Sequence, residues 1–152
     1  MRTIRLATAP DDRDAAYAVR FEVFVTEQRV PADLELDARD ADADHFVAYD
    51  DGRPVGAGRL VVEPIGFEGT DPALGPVGHL GRLAVRADAR GTALGAGLVA
   101  AIEDRARERG LRVLVLGAQT HAVGFYQRLG YTAYGDEFDD AGLPHRWMRR
   151  GL

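Results

Sequence analysis

Apolar residues recur along this chain with two periods, and the switches between them lay out its elements. Thr3 to Ala7 reads as an opening strand. Behind Asp11 and Asp12 as candidate caps, Ala15, Ala16, Val19, Val23 and Phe24 fall at helical spacing. The pattern predicts one helix ending near Gln28, ahead of Pro31. Ala32 to Asp44 is an acid-dense loop or short helix. His45 to Tyr49 and Pro54 to Val62 read as strands joined through Asp51-Gly52, a strong hairpin signal. The proline- and glycine-rich stretch from Glu63 to Val77 reads as a loop, and Gly78 to Arg86 as the next strand.

A long helix follows. Leu94, Leu98, Val99, Ile102 and Ala106 share one face, Glu103, Asp104, Arg107 and Glu108 lie opposite, and Gly110 stops it. Leu111 to Leu116 is an apolar strand of the kind found at the centre of a sheet. His121 to Leu129 reads as a short helix ended by Gly130. Tyr131 to Tyr134 and His145 to Met148 pair as closing strands around a turn at Asp139 to Pro144. The order β-α-β-β-β-α-β-α-β-β predicts an α/β (α+β) mixed sheet, mostly antiparallel, with helices on both faces. Residues 1–152 are expected to form one domain.

The composition narrows the chemistry. No apolar run approaches the roughly 20 residues of a membrane span, and the N-terminus lacks the apolar core of a signal peptide. A cytoplasmic protein with no membrane partner is expected. The net charge of −5 argues against broad nucleic-acid binding. Cys, Lys, Ser and Asn are all absent, so there is no thiolate metal site, no Ser or Cys nucleophile and no Schiff-base lysine. The same bias also fits codon usage. No histidine pair shows metal spacing, and no metal is expected. Asp40-Ala41-Asp42-Ala43-Asp44 imitates the start of a calcium loop but carries His45 where the loop needs glycine. A solvated acidic loop is expected there, with an acidic rim for cationic amines as the alternative.

Arg90-Gly91-Thr92-Ala93-Leu94-Gly95-Ala96-Gly97 lies between a strand and a helix, where glycines and a helix N-terminus make an anion site. A P-loop needs Gly-Lys-Ser/Thr and a kinase needs a strand lysine; this chain has no lysine. Gly95 to Ala100 fits G-x-G-x-x-G/A but lacks an acidic residue at the expected distance. Small residues that merely let helix and sheet pack closely are the bland reading.

The run after the strand fits Arg-x-x-Gly/Ala-x-Gly and resembles the acetyl-CoA pyrophosphate loop of the GNAT N-acetyltransferases. Arg20 to Gln28 resembles the R-x-x-V-F-x-x-E-Q segment of one subgroup, slightly shifted. Leu116 to Ala122 and Phe125 to Tyr131 resemble the family's late helix motif, and Gly142-Leu143-Pro144-His145 with Met148 resembles the ElaA/YjcF-type tail. The four segments span essentially the whole chain in order. Ala93, where glycine is commoner, is acceptable if it keeps φ below zero; Gln119 stands where many relatives carry asparagine.

The resemblance implies a GNAT-like fold and transfer of an acetyl group from acetyl-CoA to a primary amine by direct attack in a ternary complex. It implies that Arg90, Gly91, Thr92, Ala93, Leu94, Gly95 and Ala96 hold the pyrophosphate. The strand Arg82, Leu83, Ala84 and Val85 would pair with the pantetheine arm, the N–H near Leu83 polarising the thioester carbonyl. Gln119 would contribute to the same site, and Tyr126 would protonate the leaving thiolate; a tyrosine packed between helix and sheet is the competing reading. Glu27 would bind or deprotonate the acceptor, against a surface glutamate, with Gln28 orienting it. His79, as a base through water, and His145 would lie on the acceptor side, while His45 and His121 read as structural and surface residues. The acceptor is expected to be a small amine, with a peptide amine and homodimerisation left open. A catalytically silent acyl-CoA-binding or sensing module on the same fold is the alternative.

Overall fold

The computed structural model describes residues 1–152 and arranges seven strands in one sheet, in the order β1-β2-β3-β4-β5-β7-β6. The strands are β1 (Arg2–Leu6), β2 (Asp44–Asp50), β3 (Arg53–Glu63), β4 (Val77–Val85), β5 (Val113–Gln119), β6 (Thr132–Asp140) and β7 (Leu143–Gly151). Every neighbouring pair is antiparallel except β4–β5. The helices are α1 (Pro10–Arg20), α2 (Ala32–Glu35), α3 (Leu94–Glu108) and α4 (Val123–Arg128). No helix is long and apolar enough to cross a membrane.

Strand alternation divides the core between the two faces of the sheet. Phe46, Ala48, Leu60, Leu80, Leu114, Leu116 and Met148 meet the apolar stripe of α3 and the ring of Tyr126 on α4. Val47, Ala57 and Ala84 point the other way and meet Ala16, Val19 and Val23. Each of these side chains is under a tenth exposed, so both faces are dry.

Five local features depart from the pattern-based expectation. The helix predicted to reach Gln28 is α-helical only to Arg20. From Phe21 to Glu27 it widens into a π-helical segment, closed by Gln28 N–H donating to the Val23 carbonyl at 3.1 Å. Such a widening rotates every later side chain around the axis. β3 runs on to Glu63, which the sequence pattern assigned to a loop. β6 and β7 extend to a two-residue turn at Ala141-Gly142, where both φ values are positive, 53° and 80°.

The fourth departure is a bulge in β4. Ala57 pairs with Ala84 and Arg59 with Gly81, so Arg82 and Leu83 together oppose Gly58. Arg82 takes φ 52° to make it. The fifth is Ala93, the residue before α3, which adopts φ 64° instead of the negative value expected. Left-handed backbone strains an L-residue by about 1–2 kcal/mol. Ala93→Gly should therefore stabilise the fold by about 0.5–1 kcal/mol after the entropy of a more flexible unfolded chain is subtracted. A thermal melt should rise by about 1–4 °C; a fall would mean that the Ala93 methyl packs better than its backbone conformation costs.

The acid-rich segment is not a solvated rim. Arg20, 1% exposed, donates to Glu35 Oε1 at 2.7 Å and to Asp40 Oδ1 at 2.8 Å. Arg59 on β3 donates to Asp37 and Asp40, both at 2.8 Å, and Arg82 reaches Asp37 at 3.1 Å. Burial alone would raise Asp40, but hydrogen bonds from Arg20, the Asp37 N–H and Arg59 hold its carboxyl well below the usual range. Asp44, at the start of β2, is taken by Arg105 and Arg109. Glu35, Asp37 and Asp40 thus clamp the α2 loop to α1 and the sheet while Asp44 ties β2 to α3, and none of the four is free to attract a cation, which removes the sequence-based case for an acidic rim.

Candidate active site

β4 and β5 touch over only three register pairs, Gly78–Leu114, His79–Val115 and Leu80–Leu116. Beyond that point the bulge carries β4 away while β5 continues to Gln119, and the two strands open as a V. A cleft of about 1200 Å³ fills the opening and cuts through the sheet. Gly81, Arg82, Leu83 and Val85 line one edge and Leu116, Gly117 and Gln119 the other. The backbone groups of β4 along this edge have no β5 partner, so an extended ligand can add itself there as a strand.

The wide end of the V is closed by the start of α3. Ala93 has no side chain that could cap the helix, and the first intrahelical bond is Gly97 N–H to the Ala93 carbonyl at 3.1 Å. The N–H groups of Leu94, Gly95 and Ala96 precede that bond, on residues that line the cleft. A 15-residue helix thus presents three unsatisfied donors and its positive dipole end to the cavity. Arg90, Gly91 and Ala93 line the same corner. Thr92 turns away and donates to the Ala89 carbonyl at 2.5 Å, and the Ala84 side chain packs into the α1-face core. The packing reading holds for two glycines: a Cβ on Gly97 would sit 2.8 Å from Ile4, and one on Gly95 3.3 Å from Phe125.

At the apex of the V, alternation puts neighbouring residues of β4 on opposite faces. Leu80 joins Tyr126 on the α3–α4 side. Tyr126 is 7% exposed and lines the cleft, and burial alone pushes its phenol far above the ordinary value, so it stays protonated. His79 emerges on the α1 side. Its Nδ1 donates to Glu63 Oε2 at 3.0 Å, which leaves the Nε2 lone pair free. Glu63, 4% exposed, is held in turn by Arg39 at 2.5 Å. Burial lowers the His79 pKa and the bond to Glu63 opposes it only in part, so the ring is neutral near pH 7.

His145, on β7, donates from Nδ1 to the Leu143 carbonyl at 2.8 Å and lines the cleft on the same side as His79. Gln119 Nε2 donates to Gln28 Oε1 at 2.8 Å, and His121 Nε2 donates to Gln119 Oε1 at 2.7 Å; this chain ties the π-helical segment to β5. His45 is structural, donating from Nε2 to the Asp40 carbonyl.

Glu27 departs from the expectation of an acceptor-side carboxylate. The π-helical segment turns Phe24 and Gln28 into the cleft and leaves Glu27 outside its lining. Glu27 instead accepts a two-pronged pair from Arg90, both bonds at 2.7 Å, and the hydrogen bonds from Arg90 keep its pKa low. Gln28 alone of that pair reaches the cavity. The sequence reading missed Glu63, because it lay past the expected end of β3, and Phe138 and Trp147, which also line the cleft. A period-2 alternation of His145 and Trp147 against the buried Met148 was the available signal.

A parallel pair that splits over a cavity, with a bare helix start at one end, offers an extended ligand a free strand edge and its anionic end a helix N-terminus. The family model for the acetyltransferase (GNAT) domain matches residues 8–152, and the chain belongs to the GNAT acetyltransferases. Within them it falls in the ElaA/YjcF-like subgroup. The uncharacterized N-acetyltransferase YjcF of Bacillus subtilis is 40% identical over 139 residues, covering 91% of both chains. A crystal structure of an acyl-CoA N-acyltransferase from Pseudomonas aeruginosa superposes with a TM-score of 0.79 at 30% identity, over 99% of this chain and 98% of that one. The fold of Escherichia coli ElaA superposes with a TM-score of 0.77 at 24% identity, over 99% and 98%.

Proposed function

We propose that this enzyme transfers an acetyl group from acetyl-CoA to a primary amine by direct attack in a ternary complex. The observation that carries the reading is the V between β4 and β5, with free N–H donors at its wide end and a phenol and a neutral imidazole on either face of its apex. The pyrophosphate would rest on the N–H groups of Leu94, Gly95 and Ala96 with Arg90 beside it, and the pantetheine arm would run along Arg82 to Val85. That path leaves the thioester at the apex. His79 takes one proton from the acceptor ammonium, and the freed nitrogen lone pair attacks the carbonyl carbon. A backbone N–H near Leu83 stabilises the oxyanion. The C–S bond then breaks and Tyr126 donates its proton to the leaving thiolate. The nitrogen's second proton leaves through His79 and solvent, and the tyrosine is reprotonated, so amine and thioester become amide and thiol. Glu63 acts as a positioning residue that fixes the His79 tautomer.

Calorimetric titration with acetyl-CoA, with ATP and NAD as controls, tests the cofactor. Micromolar binding of acetyl-CoA alone is expected; no binding would leave the Arg90 to Gly97 turn as a packing device. The same titration reads the Glu27–Arg90 pair, which engages a guanidinium that the phosphates would use. The two side chains are 41% and 44% exposed, so the pair is weak and solvent-screened. Glu27→Gln should tighten acetyl-CoA binding roughly 2- to 5-fold. Weaker binding would show that Glu27 positions Arg90 for the phosphates instead of competing with them.

A further inference from the structure

The acceptor side of the cleft has a composition that selects among amines. Trp147 on β7 and Phe138 on β6 stack at 5.0 Å with their rings 20° apart. His79 lies 5.6 Å from the Trp147 ring, and Phe67 packs edge-on against Trp147 at 5.6 Å. The rings close over Gly117, where an added Cβ would come within 3.3 Å of Phe138 and 3.7 Å of Trp147. Phe138 and Trp147 remain partly exposed, and they do so inside a concavity. Across from them stand Phe24, Val30 and Leu34, with Leu34 51% exposed at the rim. Apolar side chains left open to water on both walls of a cleft are a binding surface.

Charge narrows the choice further. The carboxylates of Glu35 and Asp37 line the cleft but are taken by arginines. Arg39, Arg59 and Arg82 sit on the same wall, each already paired with a carboxylate, so that wall offers no free negative charge to a second ammonium on the ligand. The lining carboxylates without an arginine are Asp139 and Asp140, exposed at the tip of the β6–β7 hairpin beside Phe138. An ammonium entering there first meets Asp140 and Asp139, the latter bonded only by the Gly142 N–H, and aromatic faces next.

We infer that the acceptor is a monoamine carried on a flat apolar body, an arylalkyl primary amine, laid against Phe138 and Trp147 with its nitrogen toward His79. The inference rests on the proposed acetyl transfer and adds the substrate class. Polyamines would bring further charges to a wall whose carboxylates are already taken, and aminosugars would bring hydroxyls to an apolar wall.

The test uses the whole enzyme, acetyl-CoA and a panel of phenethylamine, tryptamine, spermidine, glucosamine and a peptide with a free N-terminus, followed by thiol release. Phenethylamine and tryptamine should exceed the others at least ~10-fold in kcat/KM. Trp147→Ala should remove about 10-fold of that advantage through KM while leaving acetyl-CoA affinity unchanged, and Phe138→Leu should do the same more mildly. Trp147 is the sole tryptophan, so phenethylamine should also change its emission in the wild-type protein without turnover. Preference for spermidine or glucosamine, an unchanged KM in Trp147→Ala, or no turnover of either arylalkyl amine by an enzyme that binds acetyl-CoA would each overturn the inference. Failure to bind acetyl-CoA would instead overturn the proposed reaction.

Discussion

Tyr126→Phe should lower kcat about 100-fold while leaving acetyl-CoA affinity within a factor of two, since positioned proton transfer contributes roughly 10²–10⁴-fold. The ring is buried among Leu80, Leu116 and Tyr131, and the phenylalanine keeps every one of those contacts. What is lost is one O–H at the cleft surface. A thiol titrates near 8.5, so the departing thiolate needs a donor that is still protonated, and burial keeps Tyr126 in that form. The pH profile follows with a definite sign. Tyr126 titrates above its ordinary value near 10 and imposes no alkaline limit below that pH. His79 titrates below its ordinary value near 6.5, so activity should fall only as pH drops through that lower range. Glu63→Gln removes the carboxylate that supports protonation of His79 and should move this acid limb further down. A kcat that survives Tyr126→Phe sinks the acid role, and a wild-type protein that binds acetyl-CoA but turns over no amine is a silent binding module.

The parts of this design legible in the sequence are those written as periodicity and turn chemistry. Helix α3, the hairpins and the mixed sheet follow from apolar spacing and from Asp51-Gly52, Gly110 and Gly130. The anion corner is legible because glycines after a strand and before a helix mark a close backbone approach, even though Gly95 and Gly97 also serve packing. The remainder depends on register, which local pattern does not carry. The widening at Phe21 leaves no compositional mark, yet it decides that Gln28 and not Glu27 enters the cleft. The bulge at Arg82 uses a residue that does not advertise positive φ. The acidic run looked solvated because its partners Arg20, Arg59 and Arg82 come from three separate elements. Glu63 and His79 lie 16 positions apart and meet only because β3 and β4 pair as a hairpin.

Arg20→Met should destabilise the fold by about 3–5 kcal/mol, the usual result of removing one partner from a buried ion pair. For a chain of this size the melting temperature should fall by roughly 10 °C. Arg20 is the hub of the clamp: its fork binds the Glu35 carboxylate, the Glu35 carbonyl and both oxygens of Asp40. Methionine fills much of the volume but leaves Glu35, 3% exposed, with only the longer 3.7 Å contact to Arg82. Arg107→Met provides the comparison, because that arginine meets Asp104 at the surface, 44% and 73% exposed, and should shift the melt by no more than about 2 °C. Adding Glu35→Leu to Arg20→Met should recover part of the loss, since a buried pair replaced on both sides by apolar groups is often neutral. The acid side carries an independent sign. Asp40 is held below its unfolded value near 3.9, so its contribution is complete above that pH and is lost as pH falls through the lower folded value. Without Arg20 the depression shrinks, and the stability curve should lose steepness below about pH 4. Because α2 forms one wall of the cleft through Leu34, the same variant should raise KM for the amine before it changes acetyl-CoA affinity. A melt unchanged by Arg20→Met would mean that Arg59 and Arg82 hold the loop without it.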